Sequence, residues 1–294
     1  MSKLWDVAVE VQLALGAKYR SAIRSINQEI GLEQPIWYQL ITALSYDPEA
    51  ISTAQLRKRN PYSAPSVSDQ RLESLRARGW LEAQPSSEFR LTESGRAQGL
   101  SILRTLRAYH STMQPLPANE MNRMEELLGR IVNAADGAAT PPGTWCLTRA
   151  RRLSPPDAAV PITKVDYSLS CLNAFRDDSH LAAWQAHEVG GEDWELFTSI
   201  WRGERKTLEE LSTELAFRGQ AREVYQAAVE RLAAKGWVAE TDEAYSPTAA
   251  GTALREQVES TTDLFFSEAE AALTEPEAQE LGALMVKLVA ALTE

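Results

Sequence analysis

A chain of 294 residues is long enough to bury two hydrophobic cores of ordinary domain size. Its hydrophobic fraction of 44% and charged fraction of 24% are average for globular proteins, which excludes wholesale disorder and a fibrous protein. The net charge of −11 argues at first against a nucleic-acid partner, because phosphate binding favours a basic surface.

The N-terminal 20 residues combine apolar residues with Asp6 and Glu10, which predicts an amphipathic helix rather than a secretory signal. No stretch approaches the roughly 20 apolar residues of a membrane-spanning helix. The two cysteines, Cys146 and Cys171, have neither the spacing of zinc ligands nor a framework of pairs. We therefore expect a cytoplasmic protein without membrane contact, metal or cofactor.

Three consecutive helices are predicted at residues 36–44, 52–60 and 66–78. Pro61 and Pro65 separate the last two helices, and Gly79 is expected to end the third. Residues 80–91 then form two short strands around the polar turn QPSSE, and a long helix and a closing amphipathic helix follow. This order is typical of a winged helix-turn-helix, whose third helix enters the major groove of DNA while its hairpin, the wing, lies on the backbone.

Residues 135–162 contain five of the 14 prolines with much alanine and no helical periodicity, which predicts a linker or an extended strap. The basic run Arg149, Arg151 and Arg152 inside this segment could reach a phosphate group. We interpret it instead as a solvated stretch.

The sequence then repeats itself. Trp37 and Trp80 are 43 positions apart, as are Trp194 and Trp237, and both pairs are related by an offset of 157. The segment LESLRARGWLE corresponds to VERLAAKGWVA, and RLTESGRA corresponds to YSPTAAGTA. We predict a mainly α-helical chain with small β wings, in which two tandem winged helix-turn-helix repeats form a pseudo-dimer. The first repeat spans residues 1–134, the second spans 163–294, and each includes packing helices.

The charge is distributed unevenly between the repeats. Residues 51–110 contain ten basic and five acidic side chains, a balance of +5, whereas residues 192–294 contain nine basic and 21 acidic side chains, a balance of −12. We therefore expect the first repeat to dominate any contact with double-stranded DNA, and the second to repel phosphate over much of its surface.

Side chains at the start of the third helix have the chemistry of base readout, because Gln pairs with adenine and Arg with guanine. The predicted DNA contacts of the first repeat are Arg57, Lys58, Arg59, Asn60, Tyr62, Ser66, Ser68, Gln70, Arg71 and Arg90. The second repeat offers a thinner set at Arg218, Gln220 and Arg222, with Arg205 and Lys206 before its second helix. The alternative for the cluster at residues 57–59 is an ordinary solvated face.

His180 and His187 lie seven residues apart on a predicted helix, about 10 Å apart along its axis, which is too far to chelate one metal. Asp177 could approach His180 one turn away, and a hydrogen-bonded pair of these two residues at an interface is the simpler interpretation. The alternative is a ligand-binding or pH-sensing site formed by Asp177, His180, Trp184 and His187. No phosphate loop and no activated serine or cysteine is present, so we expect no enzyme activity.

Each half resembles a subunit of the MarR-type winged-helix regulators. The second half is similar to a bacterial family of MarR-like proteins through RDDSHLAAW, ERLAAKGW and VESTTDLFF, which include Glu259, Thr262 and Asp263. The first half is similar only through APSVSDQRLESLRARGW and RLTESGRA. The resemblance implies a one-chain pseudo-dimer packed through its N-terminal, long and final helices, with a ligand pocket at the junction. The acidic second wing, TDEA, departs from the MarR pattern.

Two hypotheses follow. The first is a DNA-binding transcriptional regulator that responds to a small-molecule effector, either as a monomer with an internal pseudo-two-fold axis or as a homodimer. The second is a protein-interaction or small-molecule-sensing module that has kept the winged fold without binding DNA.

Overall fold

A computed structural model describes residues 3–202 and 206–293. These residues are mainly helical, with two small antiparallel sheets, as predicted. Over these two ranges, every helix is too short or too polar to cross a lipid bilayer.

The helices are α1 Lys3–Lys18, α2 Arg20–Ile30, α3 Gln34–Leu44, α4 Thr53–Arg59, α5 Pro65–Ala77, α6 Glu93–His110, α7 Ala118–Asp136, α8 Trp145–Arg151, α9 Pro161–Gln185, α10 Gly191–Trp201, α11 Leu208–Glu214, α12 Arg222–Ala234, α13 Ala249–Glu270 and α14 Glu275–Thr293. The strands are β1 Leu81–Gln84, β2 Glu88–Leu91, β3 Lys206–Thr207, β4 Val238–Thr241 and β5 Ala244–Pro247.

The chain forms two compact units, each built from segments that are distant in sequence. The larger unit comprises the described parts of Met1–Ile51, Arg71–Asp178 and Asp263–Glu294. The smaller unit comprises Ser52–Gln70 and the described part of Ser179–Thr262.

The larger unit has a core formed by the terminal helices of both halves. Helix α1 packs on α14, and α14 packs on α7. The apolar faces of α7 and α9 contribute side chains such as Leu127, Ile131, Leu169 and Phe175, which are fully buried. Because these helices come from both ends of the chain, neither half encloses this core alone.

The first winged motif consists of α3, α4, α5, β1 and β2. A capping box between Ser52 and Gln55 begins α4, and Gly79 follows α5 with φ of +72°, as predicted. In the wing, Leu81 pairs with Leu91, and Phe89 also bonds to the backbone of Ile51, which adds a third extended segment.

The second winged motif consists of α10, β3, α11, α12, β4 and β5. A capping box between Thr207 and Glu210 begins α11, and β5 lies between β3 and β4. The final helix α14 begins beside Thr274, whose backbone N–H donates to Glu277 Oε2 at 2.9 Å. Both motifs therefore contain a helix-turn-helix followed by a hairpin.

The segment 135–162, predicted to lack helices, contains α8. The N–H groups of Cys146 and Leu147 at the start of α8 donate to the buried carboxylate of Asp178, at 2.7 and 2.9 Å. This cap comes from α9, 31 residues further along the chain, and so leaves no local signal in the sequence.

The basic run in the same segment is also not a solvated stretch. Arg149 and Arg152 both pair with Glu49, and the Arg149 guanidinium lies 4.3 Å from the ring of Tyr46. Arg151 lies 3.7 Å from the carboxylate of Asp136. These cations therefore anchor the segment to neighbouring parts of the larger unit.

Candidate nucleic-acid interface

The two helix-turn-helix turns contact each other inside the smaller unit. The first turn joins α4 to α5 at residues 60–64, and the second joins α11 to α12 at residues 215–221. The backbone N–H of Ala64 donates to the carbonyl of Arg218 at 2.8 Å. The side chain of Gln220 donates to the carbonyl of Tyr62 at 3.4 Å.

Glycine at position 219 makes this contact feasible. Gly219 has φ of +68°, and a Cβ atom there would lie 2.6 Å from Cγ2 of Val67. Gly191, the first residue of α10, is equally close to the first turn, since its Cβ would lie 2.5 Å from the carbonyl oxygen of Pro61. A side chain at position 219 would push the second turn away from α5, and one at position 191 would push α10 away from the first turn.

Arg218 was predicted to contact DNA, but its donors are used within the protein. Its Nε and Nη2 atoms donate to Glu195 Oε1 at 3.0 and 2.5 Å, and Nη1 donates to Asn60 Oδ1 at 3.4 Å. The guanidinium also lies 5.4 Å from the ring centre of Tyr62. Arg218 and Gln220 thus join the two turns.

Two of the predicted contacts on the first turn also have structural roles. The guanidinium of Arg57 donates to the carbonyl of Ser63 and closes the turn. Tyr62 is half-buried, with its ring 6.1 Å from the buried ring of Trp184. Lys58, Arg59 and Asn60 are exposed at the end of α4, which agrees both with a phosphate contact and with an ordinary solvated face.

The start of α5 is accessible on one side only. Ser66 and Gln70 are exposed, whereas Ser68 and Arg71 are half-buried. Arg71 makes no hydrogen bond or ion pair with the residues that the structure describes. Its guanidinium is therefore available to a partner outside this part of the chain.

The first wing carries one basic side chain, whereas the turn of the second wing is acidic. In the first wing, exposed Arg90 lies opposite Glu82 and, like Arg71, has no hydrogen-bonded or ionic partner in residues 3–202 and 206–293. In the second wing, Asp242 and Glu243 form the turn with φ of 49° and 60°. Arg222 is exposed at the start of α12 beside Glu223, Lys206 pairs with Glu214, and Arg205 lies outside the described residues.

Phe217 is a feature of the paired turns that the sequence reasoning missed. Its side chain is 64% exposed, directly before Arg218, whose guanidinium lies 4.6 Å from its ring centre. The signal in the sequence was an aromatic residue within the polar turn AFRGQ.

The predicted histidine site separates into different environments. His180 Nε2 accepts from Trp194 Nε1 at 3.2 Å, and Nδ1 lies 3.3 Å from Thr262 Oγ1. Because the Thr262 hydroxyl donates to the carbonyl of Val258, His180 donates from Nδ1 and is neutral in this arrangement. Trp184 stacks on Trp194 with ring centres 5.7 Å apart.

His187 lies beyond the end of α9, with its ring 6.4 Å from that of Trp237, and so does not join His180. Asp177 is half-buried on α9. In the described ranges, no three His, Cys, Asp or Glu side chains are grouped closely enough to hold a metal. A small apolar pocket lies elsewhere, in the larger unit, where Trp5, Leu172, Phe266 and Met285 are among its lining residues.

A model of a helix-turn-helix family matches residues 105–294, which is 190 of the 294 residues. The match includes the second winged motif and the terminal helices from α7 onward, and it leaves out the first motif. Comparison with curated proteins and with solved structures gives no match.

Proposed function

Since the chain belongs to a helix-turn-helix family, we propose that it is a DNA-binding transcriptional regulator of MarR-like type, without enzyme activity, whose first winged motif makes the dominant contact with double-stranded DNA. Helix-turn-helix proteins place the second helix of the motif in the major groove and a wing on the adjacent backbone. In this chain those two elements are α5 and the β1–β2 hairpin.

The observation that carries the proposal is the pair of arginines at Arg71 and Arg90. One lies on α5 and the other on the wing, and neither has a hydrogen-bonded or ionic partner in the described part of the chain. Most other arginines of the larger unit are engaged by carboxylates or carbonyls, as Arg96 is by Asp47 at 2.7 Å. Unpaired guanidinium groups on a recognition helix and its wing are suited to phosphate and guanine.

The second motif is proposed to contribute little to DNA affinity. Its wing turn carries Asp242 and Glu243, and a carboxylate facing a phosphate is repelled. Exposed Arg222 is followed at once by Glu223. We therefore propose an asymmetric DNA contact.

The paired turns restrict how DNA could be read. A symmetric helix-turn-helix dimer places its recognition helices in successive major grooves, about 34 Å apart. Here the turns that precede α5 and α12 are in hydrogen-bonding contact, through Ala64 and Arg218. We propose that the chain binds one continuous site instead of two half-sites.

A pseudo-dimer of tandem repeats is supported by reciprocal ion pairs in the larger unit. Arg130 pairs with Glu277, and Lys287 pairs with Glu120. The offset of 157 places Lys287 at the position of Arg130 in the second half. It likewise places Glu277 at the position of Glu120. Arg123 pairs at 2.9 Å with its own counterpart, Glu280. Exchanged contacts of this kind are the signature of an interface with two-fold symmetry.

We also propose that the chain responds to a small-molecule effector. The cluster of His180, Trp184 and Trp194 supports this proposal. The indole nitrogen of Trp184 is buried without a hydrogen-bond partner in the described residues. A buried donor without an acceptor is costly, and a ligand with an acceptor atom would satisfy it.

Fluorescence anisotropy on a labelled random duplex at low salt tests the proposal. The variant Arg71→Ala/Arg90→Ala should bind more weakly. The slope of the logarithm of the binding constant against the logarithm of salt concentration should fall in magnitude by up to about 2, since each phosphate contact releases about 0.9 counterion. The control is Arg20→Ala/Arg104→Ala, which removes two exposed cations outside the motif. Equal affinities for the two variants would remove the proposed contact surface.

The alternative function is a protein-interaction module, which the balance of −12 over residues 192–294 favours. The same titration separates the two functions. Absence of any binding by the unaltered chain at low salt would refute the DNA proposal and leave this alternative.

A further inference from the structure

One carboxylate of the larger unit lacks the partners that a buried charge requires. Asp166 lies on α9, and it receives no hydrogen bond from the residues that the structure describes. Its side chain keeps 32% of its surface accessible, although surrounding protein raises the pKa of the carboxyl to about 6. The carboxylate is therefore partly enclosed by protein and partly in contact with solvent.

The imidazole of His110 faces the same carboxylate. His110 is 2% exposed, and its Nε2 atom is 4.0 Å from Asp166 Oδ2, too far for a direct hydrogen bond. Nε2 is buried and has no partner in the described ranges. On the other side of the ring, Nδ1 lies 2.9 Å from the hydroxyl of Thr163, which can donate or accept, so Nε2 is free to present a lone pair.

A third unsatisfied group lies beside this pair. The hydroxyl of Tyr19 is buried without a partner among the residues described, and its ring centre is 5.1 Å from that of His110. The ring of Tyr109 is 6.1 Å from the ring of Tyr19. The unpartnered hydroxyl of Tyr19 therefore belongs to a ring in contact with His110, whose unpartnered Nε2 atom faces the Asp166 carboxylate.

The cations that neighbour these residues in sequence are committed elsewhere. Arg107 donates to the carbonyl of Leu153 at 2.7 Å, and Lys164 pairs with Glu125 at 3.0 Å. A metal ion would require more ligands than one carboxylate and one imidazole, and no group of three such side chains occurs in residues 3–202 and 206–293. An organic cation, in contrast, needs only hydrogen-bond acceptors and aromatic faces.

We propose that Asp166, His110 and Tyr19 form a binding site for the primary ammonium group of a small molecule. An ammonium group has three hydrogens, and the three acceptors here are the Asp166 carboxylate, the Nε2 lone pair of His110 and the Tyr19 hydroxyl. The tyrosine rings add cation–π attraction. This site does not depend on DNA binding.

The probe is n-butylammonium chloride, titrated at constant ionic strength against the full chain and followed by calorimetry and thermal unfolding. Sodium butyrate is the matched anionic control. We expect saturable binding and a rise in melting temperature with the amine only, because the site lacks a cation to hold a carboxylate. Charge-assisted hydrogen bonds make a loss of about tenfold or more in affinity the expected effect of Asp166→Asn.

The matched control variant is Asp157→Asn, which removes an exposed carboxylate nearby in sequence and should bind as the unaltered chain does. Tyr19→Phe removes only the hydroxyl and should weaken binding several-fold, which keeps the test valid if Asp166→Asn does not fold. Because the chain has three histidines, nitrogen NMR of labelled histidine should show the His110 signal alone shifting with the amine.

No saturable binding of the amine, equal affinity in Asp166→Asn and the unaltered chain, or shifts confined to His180 and His187 would each overturn the proposal. The first of these outcomes would mean that only water contacts these groups.

Discussion

Gly219 illustrates how a single residue fixes the arrangement of the two turns. Residues with a side chain rarely adopt its backbone φ of +68°. Val67 also occupies the space where a Cβ atom would lie. A substitution here acts on both the backbone and the contact between the turns.

Gly219→Ala should therefore lower the free energy of unfolding by about 1–3 kcal/mol, the usual cost of a strained backbone residue. Urea denaturation measures this change. The control is Gly129→Ala in α7, where nothing lies within 4 Å of the added Cβ and helix propensity favours alanine. A Gly219 variant as stable as the Gly129 variant would contradict the packing described.

Asp166 makes stability depend on pH in a defined direction. Burial raises the pKa of its carboxyl to about 6, above that of an unfolded chain. The native state then holds a proton that the unfolded state has released, so this group's contribution to stability is fully present below about pH 4 and is lost as pH rises through 6.

Asp166→Asn, which cannot ionise, should be more stable than the unaltered chain at pH 7 by about 1–2 kcal/mol, since the carboxyl is partly solvated. The difference should shrink toward zero near pH 4. Denaturation curves at pH 4, 5, 6 and 7 provide the measurement, and a difference independent of pH would show that the carboxyl is not perturbed.

The sequence showed which side chains are polar or cationic, but not which of them already form hydrogen bonds within the protein. Lys58 and Arg59 are exposed as expected, whereas Arg218 and Gln220 bond to the first turn. Their partners are 158 residues away, and local pattern carries no information about such contacts.

Helix α8 shows how a capping carboxylate that is distant in sequence stabilises a short helix. A helix of seven residues is too short to be stable by propensity alone. Asp178 satisfies two of its first N–H groups, and the burial of Cys146 and Leu147 fixes its position.

Asp178→Ala should destabilise the protein by about 1–3 kcal/mol, because two buried N–H groups lose their acceptor. Hydrogen exchange should show faster exchange at Cys146 and Leu147 in this variant. Asp157→Ala, at an exposed position, serves as the control and should leave these amides unchanged. Unaltered protection in Asp178→Ala would mean that the carboxylate does not hold the helix.

Most helices and both hairpins were predictable, because each has its own local signal. Gly79 marked the end of α5, prolines separated α4 from α5, and polar turns marked the wings. The missed helix α8 had no such signal.

The core of the larger unit is built from helices of both halves of the chain. Helices α1 and α7 supply one part of it, and α9, α13 and α14 supply the other. Each part alone would expose a large apolar surface to water.

Fragments 1–156 and 157–294, cut between α8 and α9, should therefore associate with each other when produced together and should aggregate or self-associate when produced alone. Co-purification and sedimentation measure this outcome. Two fragments that stay monomeric and folded in isolation would contradict a shared core. The spacing of the tryptophans led us to predict tandem repeats, but nothing in the sequence predicted the hydrogen bonds between the two turns.

We expect the two helix-turn-helix turns to stay paired while the first motif binds DNA. A hydroxyl-radical footprint, on a duplex selected by the full chain from a random pool, shows whether they do. We predict one continuous protected region. Two equally protected blocks, centred about 10–10.5 base pairs apart, would mean that the turns separate on DNA.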